Sequence, residues 1–181
     1  MKHTINRRNF LKLGMLAAVL PLPAFASLGL TLSERRLGFN NLHTGEKLDQ
    51  PYWIEGAYVP ETLVEINRVL RDHRTDQVAA IDTGLLDLLH RINAALGTSQ
   101  PFQVISGYRS PASNQMLAGH SSGVAKGSLH MQGKAIDIRL PGVALADLHR
   151  AGLMLQGGGV GYYPASDFVH LDVGRVRTWA A

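Results

Sequence analysis

Two short stretches decide how this chain is interpreted: residues 128–137 read SLHMQGKAID, and residues 168–172 read FVHLD. In the first stretch, Gly133 offers backbone freedom, and residues 135–138 then alternate in polarity as a strand does. In the second stretch, a period of two places the histidine and the aspartate on one face of a short strand. The two stretches therefore predict two strands that carry polar side chains on one face.

The polar residues of these stretches include a candidate zinc-ligand set of His130, Asp137 and His170. A catalytic zinc usually has three protein ligands and one open position for water, whose pKa it lowers to about 7. The set therefore predicts a hydrolase with one zinc ion per chain. Taken singly, each residue also fits an ordinary role as a loop histidine, a turn carboxylate or a half-buried strand residue. Asp172 shares a strand face with His170 and is predicted to support it from beside the site.

The pattern S-x-H-x-x-G-x-A-x-D with a later H-x-D resembles the D-Ala-D-Ala carboxypeptidase and endopeptidase family of zinc peptidases, peptidase M15. The segments that extend this resemblance over nearly all of the chain after residue 26 are 40–46, 105–110, 123–126 and 158–164. The resemblance implies that His130, Asp137 and His170 bind zinc. It also implies that Arg109 and Ser128 engage the substrate, and that the fold is of the Hedgehog and DD-peptidase type.

The position of the general base departs from the family pattern. Many relatives have Glu, or sometimes His, three residues before the last zinc histidine, whereas this chain has Asp167 there. An aspartate can take a proton from zinc-bound water, but its shorter side chain reaches less far. Asp167 is therefore predicted as a candidate base, with a solvent-facing turn residue as its alternative role. Asp172 and His120 are the other candidates.

The first 26 residues have the features of an export signal. Residues 6–12 read NRRNFLK, a twin-arginine motif, and an apolar stretch over residues 13–22 and the small-x-small site AFA follow it. We expect the twin-arginine machinery to export the protein to the periplasm, with cleavage after about Ala26. A transmembrane anchor is disfavoured because the apolar run is shorter than the roughly 20 residues of a spanning helix and is interrupted by prolines.

Removal of this segment also removes the excess of positive charge. The full chain has 18 Lys and Arg against 14 Asp and Glu, and four of the basic residues precede residue 27, which leaves 14 against 14. Nothing in the charge of the mature chain then favours binding to nucleic acid or to an anionic membrane. The chain has no cysteine, so disulfides and thiolate zinc ligands are excluded.

The order of predicted elements indicates a single α+β domain over residues 27–181, with helices packed on one side of a mostly antiparallel sheet. A strand and turn over residues 37–52 precede two helices, which begin at Pro60 and at the cap Asp82, and Gly97 ends the second. The later elements are strands over 102–106 and 134–140, helices over 111–117 and 143–151, and a hairpin of 159–163 with 168–173, extended by 176–179.

Together these features predict an exported zinc peptidase that acts on peptidoglycan. The guanidinium of Arg109 suits a carboxylate of a peptide stem, because two parallel N–H groups fix its orientation. The resemblance implies an endopeptidase that cuts diaminopimelate-containing cross-links, including 3-3 links. The alternatives are a D,D- or L,D-carboxypeptidase that trims stems, and a non-catalytic zinc module that binds cell-wall peptides.

Overall fold

A computed structural model describes residues 33–120 and 125–181 of the protein. The predicted twin-arginine motif, apolar stretch and cleavage site lie outside these residues. Within the described ranges, no helix combines the length and the apolar character that crossing a membrane requires.

The described residues form one eight-stranded sheet and four α-helices. The strands are β1 (Glu34–Asn41), β2 (Lys47–Ile54), β3 (Ala57–Tyr58), β4 (Phe102–Ser106), β5 (Ala135–Arg139), β6 (Gly159–Tyr163), β7 (Phe168–Asp172) and β8 (Arg177–Ala180). The helices are α1 (Pro60–Val69), α2 (Thr83–Leu96), α3 (Pro111–His120) and α4 (Leu145–Leu155). The strand order is β3-β2-β1-β4-β5-β7-β6-β8.

The sheet is mostly antiparallel, and the predicted α+β class is confirmed. Five of the seven strand pairings are antiparallel, while β1 pairs with β4 and β6 with β8 in parallel. The parallel pairings make the sheet mixed, which the local sequence pattern did not indicate. Each parallel pair joins strands that are not consecutive in the chain, because β2 and β3 lie between β1 and β4, and β7 lies between β6 and β8. Strands joined directly by a short turn would be antiparallel.

The hydrophobic core lies between one face of this sheet and helices α1, α2 and α4. Ile136 and Ile138 of β5, and Val169 and Leu171 of β7, are fully buried in it together with Leu85, Leu86 and Leu89 of α2. Because side chains alternate along a strand, the residues between them project from the opposite face. The core therefore fixes the register of β5 and β7, and this register determines which polar side chains meet on the other face.

Local sequence signals explain where the helices begin and end. Asp82 caps α2 by accepting a hydrogen bond from the Gly84 backbone at 2.8 Å, and Gly97 ends it in the left-handed conformation with φ 63°. Helix α3 ends at His120, three residues after the predicted end at residue 117. The ring of His120, through Nδ1, contacts the carbonyl of Met116 at 2.7 Å and so satisfies a carbonyl in the last turn.

Candidate metal centre and its cavity

Three buried side chains converge on the open face of the sheet. Asp137 and His170 are direct partners in the antiparallel pairing of β5 with β7, and His130 lies on the 3₁₀ turn Leu129–Gln132 that precedes β5. The ligand atoms of the three residues all lie within 4.8 Å of one another. His170 Nδ1 is 2.8 Å from Asp137 Oδ1 and 3.2 Å from His130 Nε2, and His130 Nε2 is 3.3 Å from Asp137 Oδ1.

These distances suit one small cation. A tetrahedral zinc with ligand distances of about 2.0–2.1 Å separates its ligand atoms by about 3.3 Å. The other ring nitrogen of each histidine has its own partner, as metal-bound imidazoles require. His130 Nδ1 contacts the carbonyl of Gly107 at 2.7 Å, and His170 Nε2 contacts Asp172 Oδ2 at 3.1 Å. His130 would therefore offer Nε2 and His170 would offer Nδ1 to a metal.

The turn that carries His130 is held by the residues on either side of it. Ser128 caps the turn, because its Oγ accepts a hydrogen bond from the His130 backbone N–H at 3.3 Å. Gly133 ends the turn with φ 65°, a left-handed conformation that favours glycine. A Cβ atom on Gly133 would also lie 2.1 Å from the carbonyl oxygen of Ala80. Glycine is thus required between the first two members of the triad for two separate reasons.

The members of the triad shift one another's pKa values. Burial alone would raise the pKa of Asp137, but the imidazoles of His130 and His170 hold it well below its usual value. Burial alone would lower the pKa of His170, but hydrogen bonds to Asp137 and Asp172 raise it. Since a metal binds the neutral imidazole, a proton on His170 would compete with the metal as the pH falls.

Arg109 lies beside the triad with few strong partners. Its Nη2 is 3.7 Å from Asp137 Oδ2, and its side chain is 12% exposed. Its hydrogen bonds to Asn114 Oδ1 and Ser106 Oγ are both long, at 3.4 Å, and its Nε is buried without a hydrogen-bond partner among the described residues. A buried guanidinium with free donors is suited to bind an anionic group.

The triad, Arg109 and Ser128 line one cavity of about 670 Å³. Aromatic rings form another wall: Tyr163 stacks on Phe168 at 4.4 Å between ring centroids, and Trp179 donates a hydrogen bond from Nε1 to the Tyr163 hydroxyl at 2.8 Å. Arg177 also lines this cavity, and sequence analysis did not single it out. The alternation of Arg177 and Trp179 in the last strand is the signal that could have indicated it.

All three candidate bases, Asp167, Asp172 and His120, lie outside the cavity lining. Asp167 pairs with Arg139 at 2.7 Å, its side chain is 62% exposed, and it lines a separate cavity of about 240 Å³. His120 is exposed at the end of α3. In the described part of the chain, Asp137 is the only Asp or Glu whose side chain lines the larger cavity. The structure therefore does not bring Asp167 together with the triad, because Arg139 holds its carboxylate elsewhere.

Two buried imidazoles and a carboxylate, set in a cavity beside an arginine, are side chains of the types that hold catalytic zinc in metallopeptidases. The family model for the peptidoglycan L,D-endopeptidase MepK, a branch of peptidase M15, matches residues 30–179. The chain therefore belongs to this peptidase family, and the resemblance identified in its sequence is confirmed.

Individual relatives agree with the family model over nearly the whole chain. The peptidoglycan L,D-endopeptidase MepK of Escherichia coli strain K12 is 46% identical over 181 residues, which cover 98% of this chain and 99% of that protein. The same identity and coverage hold for the protein of that name from Shigella flexneri. A probable peptidoglycan L,D-endopeptidase MepK of Haemophilus influenzae is 40% identical over 178 residues, which cover 96% of this chain and 95% of the relative.

Proposed function

We propose that this protein is a zinc-dependent endopeptidase that hydrolyses peptide cross-links of peptidoglycan during cell-wall growth or remodelling. The observation that carries the proposal is the convergence of His130, Asp137 and His170 within 4.8 Å in a chain whose relatives are named peptidoglycan L,D-endopeptidases. One zinc ion per chain would bind the three side chains. When bound, zinc polarises a carbonyl group and makes hydroxide available near neutral pH.

The chain's own residues would orient the substrate around that ion. Arg109 would bind a carboxylate of the stem peptide, because its buried Nε and its long hydrogen bonds leave donors for one. Ser128 would also contact the substrate, because it lines the same cavity. The stacked rings of Tyr163 and Phe168 would pack against the apolar part of the stem.

The finer features of the substrate and its location belong to the same proposal. We propose diaminopimelate-containing cross-links, including 3-3 links, because diaminopimelate provides a carboxylate for Arg109 next to the bond that is cut. The substrate lies outside the cytoplasm, and we propose that residues 1–26 direct twin-arginine export to the periplasm. Residues 27–181 would then form the single mature domain.

Two observations support alternatives that one experiment can separate. A buried arginine beside the triad would also bind the terminal carboxylate of an uncross-linked stem, which favours a D,D- or L,D-carboxypeptidase. The pairing of Asp167 with Arg139 removes the candidate base from the cavity, which favours a non-catalytic zinc module that binds the cell wall.

The deciding experiment incubates purified residues 27–181 with defined cross-linked muropeptide dimers and with uncross-linked stems. Each reaction is run in the presence of zinc, after treatment with a chelator, and after zinc is added back, and products are identified by mass spectrometry. Endopeptidase action predicts monomers from dimers, lost with the chelator and restored by zinc. Shortened stems with intact cross-links would indicate a carboxypeptidase, and binding without any product would indicate a non-catalytic module.

A further inference from the structure

Asp172 is the most heavily hydrogen-bonded carboxylate beside the triad. Its side chain is fully buried, and it accepts hydrogen bonds from the backbone N–H groups of Gly159 at 2.9 Å and Gly174 at 2.8 Å. Its Oδ2 also contacts His170 Nε2 at 3.1 Å. The carboxylate therefore fixes the ring of His170 from the side away from the triad.

Arg177 completes this arrangement from β8, which lies beyond β6 from β7 in the sheet. Its Nη2 and Nη1 donate to the two oxygens of Asp172 at 2.6 and 3.1 Å, a bidentate pair. The same guanidinium lies over the ring of Trp179 at 4.9 Å. The Trp179 ring is in turn 5.1 Å from the ring of His170. One side chain thus contacts both the carboxylate that supports a triad histidine and an aromatic wall of the cavity.

Glycines in β6 leave the space that this arrangement needs. A Cβ atom on Gly159 would lie 2.3 Å from Arg177 Nη1 and 2.5 Å from Asp172 Oδ2. A Cβ atom on Gly161 would lie 2.6 Å from the ring of Trp179. The last glycine of the run at residues 157–159 thus makes room for the ion pair.

We propose that Arg177 is a positioning residue that links the metal site to the aromatic wall of the cavity at Trp179. Through Asp172 it holds the His170 ring with Nδ1 facing the triad, and through Trp179 it holds the cavity wall beside the triad. The inference rests on the proposed function only in taking the triad as a metal site and the cavity as the substrate site.

The chemistry of the pair makes Arg177 difficult to replace. A planar guanidinium offers two parallel N–H groups to one carboxylate and a flat face to an indole ring. Lysine keeps the charge but offers neither the fork nor the flat face. Arg177→Lys should therefore leave Asp172 charged and buried but less firmly oriented, and the His170 ring should lose part of its orientation.

The test measures zinc affinity and substrate affinity separately. Zinc dissociation constants, obtained by competition with a chromophoric chelator in the absence of substrate, should rise roughly tenfold in Arg177→Lys. They should rise about 10- to 100-fold in Asp172→Asn, the usual cost of losing an outer partner of a metal-bound histidine. Trp179→Phe should raise KM and leave the zinc dissociation constant unchanged. Arg175→Lys is the matched control, since Arg175 is an exposed arginine in the same segment, and it should change neither value.

The nitrogen chemical shifts of the His170 ring, measured by NMR in zinc-loaded protein, provide a readout that general destabilisation would not move. They should change in Arg177→Lys and stay fixed in Arg175→Lys. A folded Arg177→Lys variant with the wild-type zinc affinity, ring shifts and KM would overturn the inference. If the wild-type protein bound no zinc and cut no cross-link, the proposed function itself would fail. Failure of Arg177→Lys alone to show an effect would leave the proposed function standing.

Discussion

Two aspartates, Asp87 and Asp172, each accept several hydrogen bonds, but the groups that donate these bonds lie in different parts of the molecule. Asp87 on α2 accepts hydrogen bonds from the hydroxyls of Tyr52 and Tyr58, each at 2.8 Å, and from Arg35 at 2.9 Å. Asp172 at the end of β7 accepts hydrogen bonds from two backbone N–H groups and from Arg177. Only Asp172 also contacts a histidine of the triad.

A carboxylate that accepts several hydrogen bonds is therefore not in itself evidence of function. The donors of Asp87 come from β1, β2 and β3, so this aspartate joins three strands to a helix. Asp172 is fully buried, and its Oδ2 contacts His170 Nε2, so this aspartate orients a histidine of the triad. Changes at the first should affect the stability of the fold, and changes near the second should affect metal and substrate.

The largest expected effect follows from removal of a triad side chain. His130→Ala, Asp137→Ala and His170→Ala should each abolish hydrolysis of cross-linked dimers, because two remaining ligands do not hold an open catalytic zinc. Zinc content measured by elemental analysis should fall to a small fraction of one per chain. His43→Ala is the control, since His43 is exposed and outside the triad. Full metal content and full activity in all three variants would show that the ligand set is wrong.

The next effect concerns the carboxylate that Arg109 is proposed to bind. Arg109→Lys keeps the charge but loses the planar fork, so kcat/KM should fall roughly 10- to 100-fold, as expected for lost charge-assisted hydrogen bonds worth about 1.5–3 kcal/mol. The loss should appear with substrates that carry the free carboxylate and be small with amidated ones. Steady-state kinetics on a matched acid and amide pair checks this. Equal losses on both substrates would remove Arg109 as the carboxylate-binding residue.

Asp87→Asn should affect stability without affecting the site. The loss of hydrogen bonds from Tyr52 and Tyr58 to a charged acceptor should lower the free energy of unfolding by roughly 1–3 kcal/mol. Zinc content and kcat should stay at the wild-type values under conditions where the variant is folded. Urea denaturation followed by circular dichroism measures the first quantity. A loss of zinc in this variant would contradict the separation of the two regions.

The pH dependence of the Asp87 effect has a definite sign. Burial alone would raise the pKa of Asp87, but the hydrogen bonds from Tyr58, Tyr52 and Arg35 lower it. A lowered pKa in the folded state means that the stabilisation is present above the unfolded value of about 3.9 and is lost as the pH falls through the folded value. The difference in unfolding free energy between wild type and Asp87→Asn should therefore shrink below about pH 4.

The smallest effect is expected at Asp167. Its carboxylate is exposed and paired with Arg139, and exposed pairs contribute about 0–1 kcal/mol. Asp167→Asn should keep the wild-type zinc content and lower kcat by less than about tenfold, an effect accessible to single-turnover kinetics. A drop of roughly 10²- to 10⁴-fold, the usual contribution of a general base, would mean that Asp167 leaves Arg139 and enters the cavity.

The sequence was sufficient to predict most of the fold because its signals are local. The cap Asp82 and the terminating Gly97 defined α2, and the alternating polarity of residues 135–138 defined the strand that carries Asp137. Local strand alternation predicted only which face of each strand Asp137 and His170 project from. Their direct pairing in the sheet was not predicted from spacing, because register depends on the whole core.

The remaining features depend on long-range contacts. The parallel pairing of β8 with β6 places Arg177 beside Asp172 and Trp179 over Gly161, and no local pattern encodes which strand an end segment will join. The pairing of Asp167 with Arg139 could not be predicted from the sequence either, because Arg139 lies 28 residues earlier in the chain. Sequence pattern thus indicated the candidate metal ligands, whereas the support around them and the position of the candidate base required the structure.

The most direct test of the zinc site is a crystal structure of zinc-loaded protein with diffraction data collected on both sides of the zinc absorption edge. We expect one anomalous peak per chain, bonded at about 2.0–2.2 Å to His130 Nε2, the carboxylate of Asp137 and His170 Nδ1. His170 Nε2 should still contact Asp172. A peak at any other site, or no peak in protein that hydrolyses cross-links, would contradict the assignment of these three residues as the metal centre.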